Sequence, residues 1–160
     1  MKRFLVTGGA GFIGSHLVRA LHSAGHQTVV VDDLSTGLRA NLSDISTDLR
    51  VGSVLDTRLI ADAIAGCDGV FHLAALVAVP DTVMDWLGGH AVNLIGTINV
   101  FEAACAAGGV PVVYASSAAI YGNQSAGICQ EDSTLPAPIS PYGADKLACE
   151  HHARAFGDIH

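Results

Sequence analysis

The stretch Phe4-Leu5-Val6-Thr7-Gly8-Gly9-Ala10-Gly11-Phe12-Ile13-Gly14-Ser15-His16 decides how the rest of the chain is read. A short apolar run, Phe4–Thr7, breaks into glycines, and an apolar-periodic segment, Phe12–Ala24, follows at once, which is the pattern of a strand, a turn and a helix. Glycines 8, 11 and 14 fit G-x-x-G-x-x-G, a spacing variant of the dinucleotide-binding fingerprint. Gly8 allows the tight turn, Gly11 lets the backbone approach a pyrophosphate, and Gly14 permits close helix–strand packing. The helix N-terminus offers free N–H groups and a positive dipole end to the phosphates. In a chain with 18 glycines the spacing alone is weak; its position between strand and helix gives it weight.

The same alternation continues to the end. Thr28–Val31, Leu49–Val51, Val70–Leu73 and Val112–Tyr114 are short and apolar, as strands buried on both faces should be. Helical patterns lie between and after them at Asp56–Ala65, Asp81–Ala107 and Tyr142–Phe156, the first opened by Asp56 as a cap. Alternating β and α segments imply an α/β fold with a parallel sheet covered by helices on both sides. Residues 115–141, rich in Ser, Gly and Pro, form one long loop after the fifth strand, where loops are usually functional.

The second strand runs into Asp32, 18 residues beyond Gly14. A carboxylate there accepts hydrogen bonds from adenosine ribose hydroxyls and repels a 2′-phosphate, favouring NAD over NADP. The next arginine is Arg39, and Asp33 reads as a solvated strand-end acid.

The composition excludes several classes. With 160 residues, 50% hydrophobic and 14% charged, the chain suits one folded domain, 1–160, and not a disordered or fibrous protein. Eight Lys and Arg against 15 Asp and Glu leave a net charge of -7, which argues against nucleic acid or anionic membrane as the main partner. Cys67, Cys105, Cys129 and Cys149 lack metal-ligand spacing and read as reduced thiols. No signal-peptide or membrane-spanning apolar stretch is visible, so the expectation is a soluble cytoplasmic protein without a metal. His72 reads as a packed core histidine, and His151-His152 point apart on a helix and make a poor metal pair. Trp86 reads as a helix-packing or interface residue.

Chemistry is carried by Tyr142-Gly143-Ala144-Asp145-Lys146. Tyr and Lys four apart share a helix face, where the ammonium favours the ionised phenol and makes a general base usable near neutrality. Lys146 is the only lysine beyond residue 2.

Thr7–His16, Phe71-His72-Leu73-Ala74-Ala75, Asn93-Leu94-Ile95-Gly96-Thr97, Tyr114–Gly122 and Tyr142–Lys146 occur in this order. Together they resemble the extended short-chain dehydrogenase/reductase family, in its nucleotide-sugar epimerase/dehydratase branch, over essentially the whole chain. The resemblance implies a Rossmann-type doubly wound parallel sheet, five strands in the order 3-2-1-4-5, binding NAD. It implies Ser117, Tyr142 and Lys146 as the catalytic triad: Ser117 on the reacting sugar oxygen, Tyr142 as base, Lys146 on the nicotinamide ribose and tuning Tyr142. Gly8, Gly11, Phe12, Ile13, Asp32, Ser53, Val54, Leu73, Ala74, Ala75 and Asn93 would line the NAD site with Tyr142 and Lys146. Ser53 stands where the family usually has an acid, a weaker acceptor for adenine.

Dehydratases and decarboxylating relatives in that branch keep an acid just after the catalytic hydroxyl; Ala118-Ala119 can supply neither proton nor charge. That leaves epimerisation of a nucleotide sugar, with a UDP-linked hexose as the expected substrate and a 4-keto intermediate. A dehydrogenase of the same family and a non-catalytic NAD-binding protein remain alternatives. The resemblance further suggests a homodimer through helices 81–107 and 142–156. Relatives run to about twice this length, with further strands and a substrate-binding lobe, in line with a two-half dinucleotide fold. The expectation is therefore half a machine, lacking the C-terminal strands and substrate lobe, with the strand at Val110–Tyr114 on an open edge.

Overall fold

The computed structural model describes residues 1–77, 84–124 and 127–159. Five strands, β1 (Arg3–Thr7), β2 (Gln27–Asp32), β3 (Asp48–Val51), β4 (Gly69–His72) and β5 (Val112–Tyr114), form one sheet in the order β3-β2-β1-β4-β5. Every pairing is parallel, with Leu5 opposite both Val29 and Val70, and Val30 opposite Leu49. The expected strand order and direction are both found.

Side-chain alternation builds two cores, one on each face. Leu5, Val29, Val31 and Val70 point to one side and meet Ile60 and Ile64 of α2 (Thr57–Ile64) and Val100 and Ala104 of α4 (Gly96–Ala106). Val6 and Val30 point to the other and meet Val18 of α1 (Phe12–Ser23), Leu42 and Ile45. Full burial of each such valine or leucine contributes roughly 1.5–3 kcal/mol. Runs such as Val29-Val30-Val31 are continuously apolar because helices cover both faces. The expected cap is present: Asp56 Oδ1 accepts from the Arg58 and Leu59 amides at 3.1 and 3.0 Å.

The helix expected over Asp81–Ala107 has a different form. Residues 81–83 lie outside the described residues; Trp86–His90 forms α3, capped by Asp85, and Gly96–Ala106 forms α4. Between them Ala91–Ile95 widens into a π-helical turn, a feature periodicity cannot signal. The last helix, α5 (Pro141–Ile159), begins on proline, which suits a first helical position where no N–H partner is needed. Within the long loop, Ala118–Tyr121 makes a single 3-10 turn. Among the described residues no helix is long and apolar enough to cross a membrane, and no group of three or more His, Cys, Asp or Glu could hold a metal ion.

Candidate functional site

All five strands run the same way, so their carboxyl ends share one rim. There, beyond the paired ends of β1 and β4 where the strand order reverses, lies a cleft of about 340 Å³. Its floor is the loop after β1. Gly8 adopts φ +69°, and a Cβ on it would stand 2.7 Å from the Ala74 nitrogen. A Cβ on Gly14 would stand 2.2 Å from the Gly8 carbonyl oxygen, so both glycines are required for the loop to pack between β4 and α1. A Cβ on Gly11 would meet only the Gly8 oxygen, at 3.2 Å, which leaves the backbone open toward the cleft. Phe12 and Ile13, in the first turn of α1, are exposed and line the same space.

Asp32 closes one end. Its buried carboxylate accepts from the Ala10 amide at 2.8 Å and the Leu34 amide at 2.9 Å, tying the loop after β1 to the loop after β2. Leu34 is held at φ +60°, and Asp33 accepts from the Ser35 amide and hydroxyl in a tight turn. Asp33 thus lines the cleft rather than standing apart from it, with Ser35, Thr36 and Gly37. Ser53 and Val54 form the adjoining wall; the Ser53 hydroxyl accepts from the Leu55 amide at 3.2 Å.

Leu73, Ala74 and Ala75 line the cleft beyond β4. Asn93 does not: it is fully buried behind the cleft, its Oδ1 accepting from the Leu76 amide at 2.8 Å and its Nδ2 donating to the Leu76 carbonyl at 3.1 Å. It shapes the wall from behind. His72 is a buried core histidine, as expected, between Thr7 Oγ1 at 2.6 Å and Thr97 Oγ1 at 2.9 Å. Thr97 donates its proton to the Asn93 carbonyl, so it accepts from Nε2–H and leaves Nδ1 to accept from Thr7. Burial, and after it the Lys146 charge, push the His72 pKa down to about 3.

Tyr142 and Lys146 project from α5 into the cleft, both largely buried. Lys146 Nζ donates to the Ala115 carbonyl at 2.9 Å and lies 5.9 Å from the centre of the Tyr142 ring. Burial lowers the Lys146 pKa from its ordinary value, opposed by the Cys149 thiol and then the Asp145 carboxylate. Ser116 lines the cleft with its hydroxyl donated to Glu150. Ser117 is next along, capping the 3-10 turn by accepting from the Ala119 amide at 3.2 Å, which leaves its own proton available. Glycines, acid, tyrosine and lysine thus converge on one elongated cleft whose form suits a dinucleotide: open backbone at a helix N-terminus, a carboxylate at one end and a buried cation at the other.

A family model described as the NAD dependent epimerase/dehydratase family matches residues 4–160. The chain belongs to this family. Among curated members of the NAD dependent epimerase/dehydratase family, the chain is 38% identical to the UDP-glucose 4-epimerase of Azospirillum brasilense over 99% of its own length and 45% of that protein's. Among solved structures it resembles the Thermus thermophilus UDP-glucose 4-epimerase complex with NAD (TM-score 0.90, 37% identity), covering 98% of this chain and 51% of that one. It likewise resembles the Thermotoga maritima UDP-glucose 4-epimerase with UDP-glucose (TM-score 0.92, 33% identity), covering 98% of this chain and 51% of that one. The chain spans about half the length of the curated relatives it matches.

Sequence reading did not identify Ala115, whose contribution is a backbone carbonyl, nor Ser35, Thr36 and Gly37. The Asp-Leu-Ser-Thr-Gly run after β2 carried a usable signal for the latter, since short polar side chains and glycine mark a tight loop at a strand end.

Proposed function

We propose that this chain is the NAD-binding and catalytic part of a nucleotide-sugar epimerase that inverts C4 of a UDP-linked hexose through a 4-keto intermediate. The observation that carries this reading is the convergence of the glycine loop, Asp32, Tyr142 and Lys146 on a single cleft. Gly8, Gly11, Phe12 and Ile13 would hold the pyrophosphate, Asp32 the adenosine ribose, Ser53 and Val54 the adenine side, and Leu73–Ala75 and Lys146 the nicotinamide half, with Asn93 supporting that wall through Leu76. Bound there, NAD supplies a hydride acceptor that can also return the hydride.

The remaining chemistry belongs to the chain. Tyr142 takes the proton from the sugar C4 hydroxyl and gives it back after the keto sugar has turned over. Lys146 places a buried cation 5.9 Å from the centre of that ring, on the same side of the cleft. Ser117 donates its free hydroxyl proton to the reacting oxygen and holds it against Tyr142. The 3-10 turn at Ala118–Tyr121 carries no acid, which supports epimerisation over elimination of water. Four free cysteines support a cytoplasmic setting. Exposed Trp86 and Leu87 at the start of α3 support a homodimer built on helices 81–107 and 142–156.

Calorimetric titration of the 160-residue chain with NAD, beside an assay for interconversion of UDP-glucose and UDP-galactose, tests the reading. Binding is expected with NAD preferred over NADP, and Tyr142→Phe should keep binding while abolishing any turnover. Absence of NAD binding, or full turnover in Tyr142→Phe, overturns it. Binding without turnover in the unaltered chain favours a non-catalytic or truncated NAD-binding protein, and restored turnover in a longer protein containing this chain separates it from the epimerase reading.

A further inference from the structure

The cleft wall beyond β4 has no regular structure of its own, yet its backbone is held at both ends from behind. At the near end the Leu73 and Ala74 amides donate to Thr7 Oγ1 at 3.2 and 3.3 Å. At the far end the Asn93 side chain takes both the amide and the carbonyl of Leu76, at 2.8 and 3.1 Å. His72 joins these anchors: Nδ1 stands 2.6 Å from Thr7 Oγ1, and Nε2 stands 2.9 Å from Thr97 Oγ1. Thr97 in turn donates to the Asn93 carbonyl at 2.6 Å, where the Cys149 thiol also donates at 3.3 Å. Thr7, His72, Asn93 and Thr97 are each at most 1% exposed. An N–H can only donate and a carbonyl can only accept, so a relay with amides at one end and a carbonyl at the other has one direction. It runs from Leu73 and Ala74 through Thr7, His72 and Thr97 to Asn93. Only the neutral ring protonated on Nε2 completes it.

We infer that His72 is a positioning residue for the cleft wall: fixed as the Nε2–H tautomer, it joins the clamp on Leu73 and Ala74 to the clamp on Leu76 in one buried unit that sets where this backbone stands. The functional consequence rests on the role proposed above for Leu73–Ala75 on the nicotinamide side. His72 and Thr97 do not line the cleft themselves, so their effect reaches it through the backbone they hold. Burial, and after it the Lys146 charge, keeps the ring neutral, as the relay requires. The wall has little room to yield on its other side. A Cβ on Gly8 would stand 2.7 Å from the Ala74 nitrogen, so the loop after β1 is seated directly against it. A shift at Ala74 therefore disturbs the glycine loop as well as the wall. The π-helical turn fits the same arrangement, since such turns recur at functional positions and Asn93 is the residue of this one that reaches Leu76.

In protein labelled with isotopic nitrogen at histidine, NMR of the unaltered chain reads which ring nitrogen of His72 holds the proton, the signal being assigned by its loss in His72→Gln. A proton on Nε2 and a bare Nδ1 are expected; a proton on Nδ1 overturns the inference. Thr97→Val and Thr97→Ala remove one hydroxyl from the relay outside the cleft lining, whereas Thr97→Ser keeps it. In whichever deletion variant folds, the Ala74 and Leu76 amides are expected to lose about tenfold in protection from hydrogen exchange while amides of the β1–β2 ladder keep theirs. NADH affinity should fall about fivefold to tenfold in the same variant, and Thr97→Ser should restore both readouts. A hydroxyl that only stabilises the core would speed exchange across the whole sheet and leave NADH affinity in place; that result overturns the inference. Failure of the unaltered chain to bind NADH would instead remove the cofactor-binding reading, and the exchange pattern would then decide the role of His72 by itself.

Discussion

Lys146 donates its hydrogen bond to the carbonyl of Ala115, the first residue after β5, and so ties α5 to the end of the outermost strand on that side. That bond holds a cation in a site where burial lowers its pKa. The unfolded chain therefore binds this proton more tightly than the folded one. Stability from this group rises with pH between the depressed folded midpoint and the ordinary lysine value of 10.5, and the cost is fully present below the folded midpoint. Lys146→Met removes that cost. At pH 7 the variant should be at least as stable as the parent by urea unfolding, with the advantage shrinking as pH rises through that window. Its affinity for NADH, followed by fluorescence, should fall about tenfold or more, equivalent to about 1.4 kcal/mol.

His72 gives the opposite end of the pH scale. Its folded pKa of about 3 lies below the ordinary 6.5, so the unfolded chain gains a proton first as pH drops. Stability should decline between pH 6.5 and 3 at about 1.4 kcal/mol per pH unit from this residue at full slope. His72→Gln should flatten that decline when urea midpoints are compared at pH 7, 5 and 4, although it starts from lower stability.

Asp32 joins two loops by accepting from Ala10 and Leu34. Asp32→Ala strands both amides and should cost about 2–4 kcal/mol in urea unfolding. Asp32→Asn keeps an acceptor but loses the charge. The ratio of NADPH to NADH affinity should then rise about tenfold, because the repulsion of a 2′-phosphate is gone.

Gly14 and Gly157 make a matched pair for the loop argument. Both are in helices, yet a Cβ at Gly14 would stand 2.2 Å from a backbone oxygen while one at Gly157 would meet nothing within 4 Å. Gly157→Ala should stabilise by about 0.5–1 kcal/mol through helix propensity. Gly14→Ala should cost about 3 kcal/mol and weaken NADH binding.

Much of this architecture is legible in the residues themselves. Val29-Val30-Val31 reads as a strand because both of its faces are covered, and Gly8, Gly11 and Gly14 read as a loop because strand and helix patterns flank them. Tyr142 and Lys146 share the cleft because their spacing matches the helical repeat. Other features depend on tertiary context. The π turn at Ala91–Ile95 is a shift in backbone pairing with no composition of its own. Asn93 sits in a segment that matches cofactor-lining residues, yet its amide turns to Leu76, a choice made by the neighbouring loop. Nothing in the local sequence marks Asp145 as buried; its contact with His90 of α3 comes from tertiary packing.

β5 is three residues long and is paired to β4 through Val70–Val112, Phe71–Val113 and His72–Tyr114, with Val113 60% exposed. The Ala115 carbonyl, Ser116 and Ser117 all hang from its end. Ser116, Ser117 and the carbonyl that anchors Lys146 are thus mounted on the shortest strand of the sheet, and their alignment is only as stiff as a few ladder bonds. Any segment laid along the outer side of β5 would brace this rim of the cleft as well as the fold, tightening a serine and a lysine it never touches.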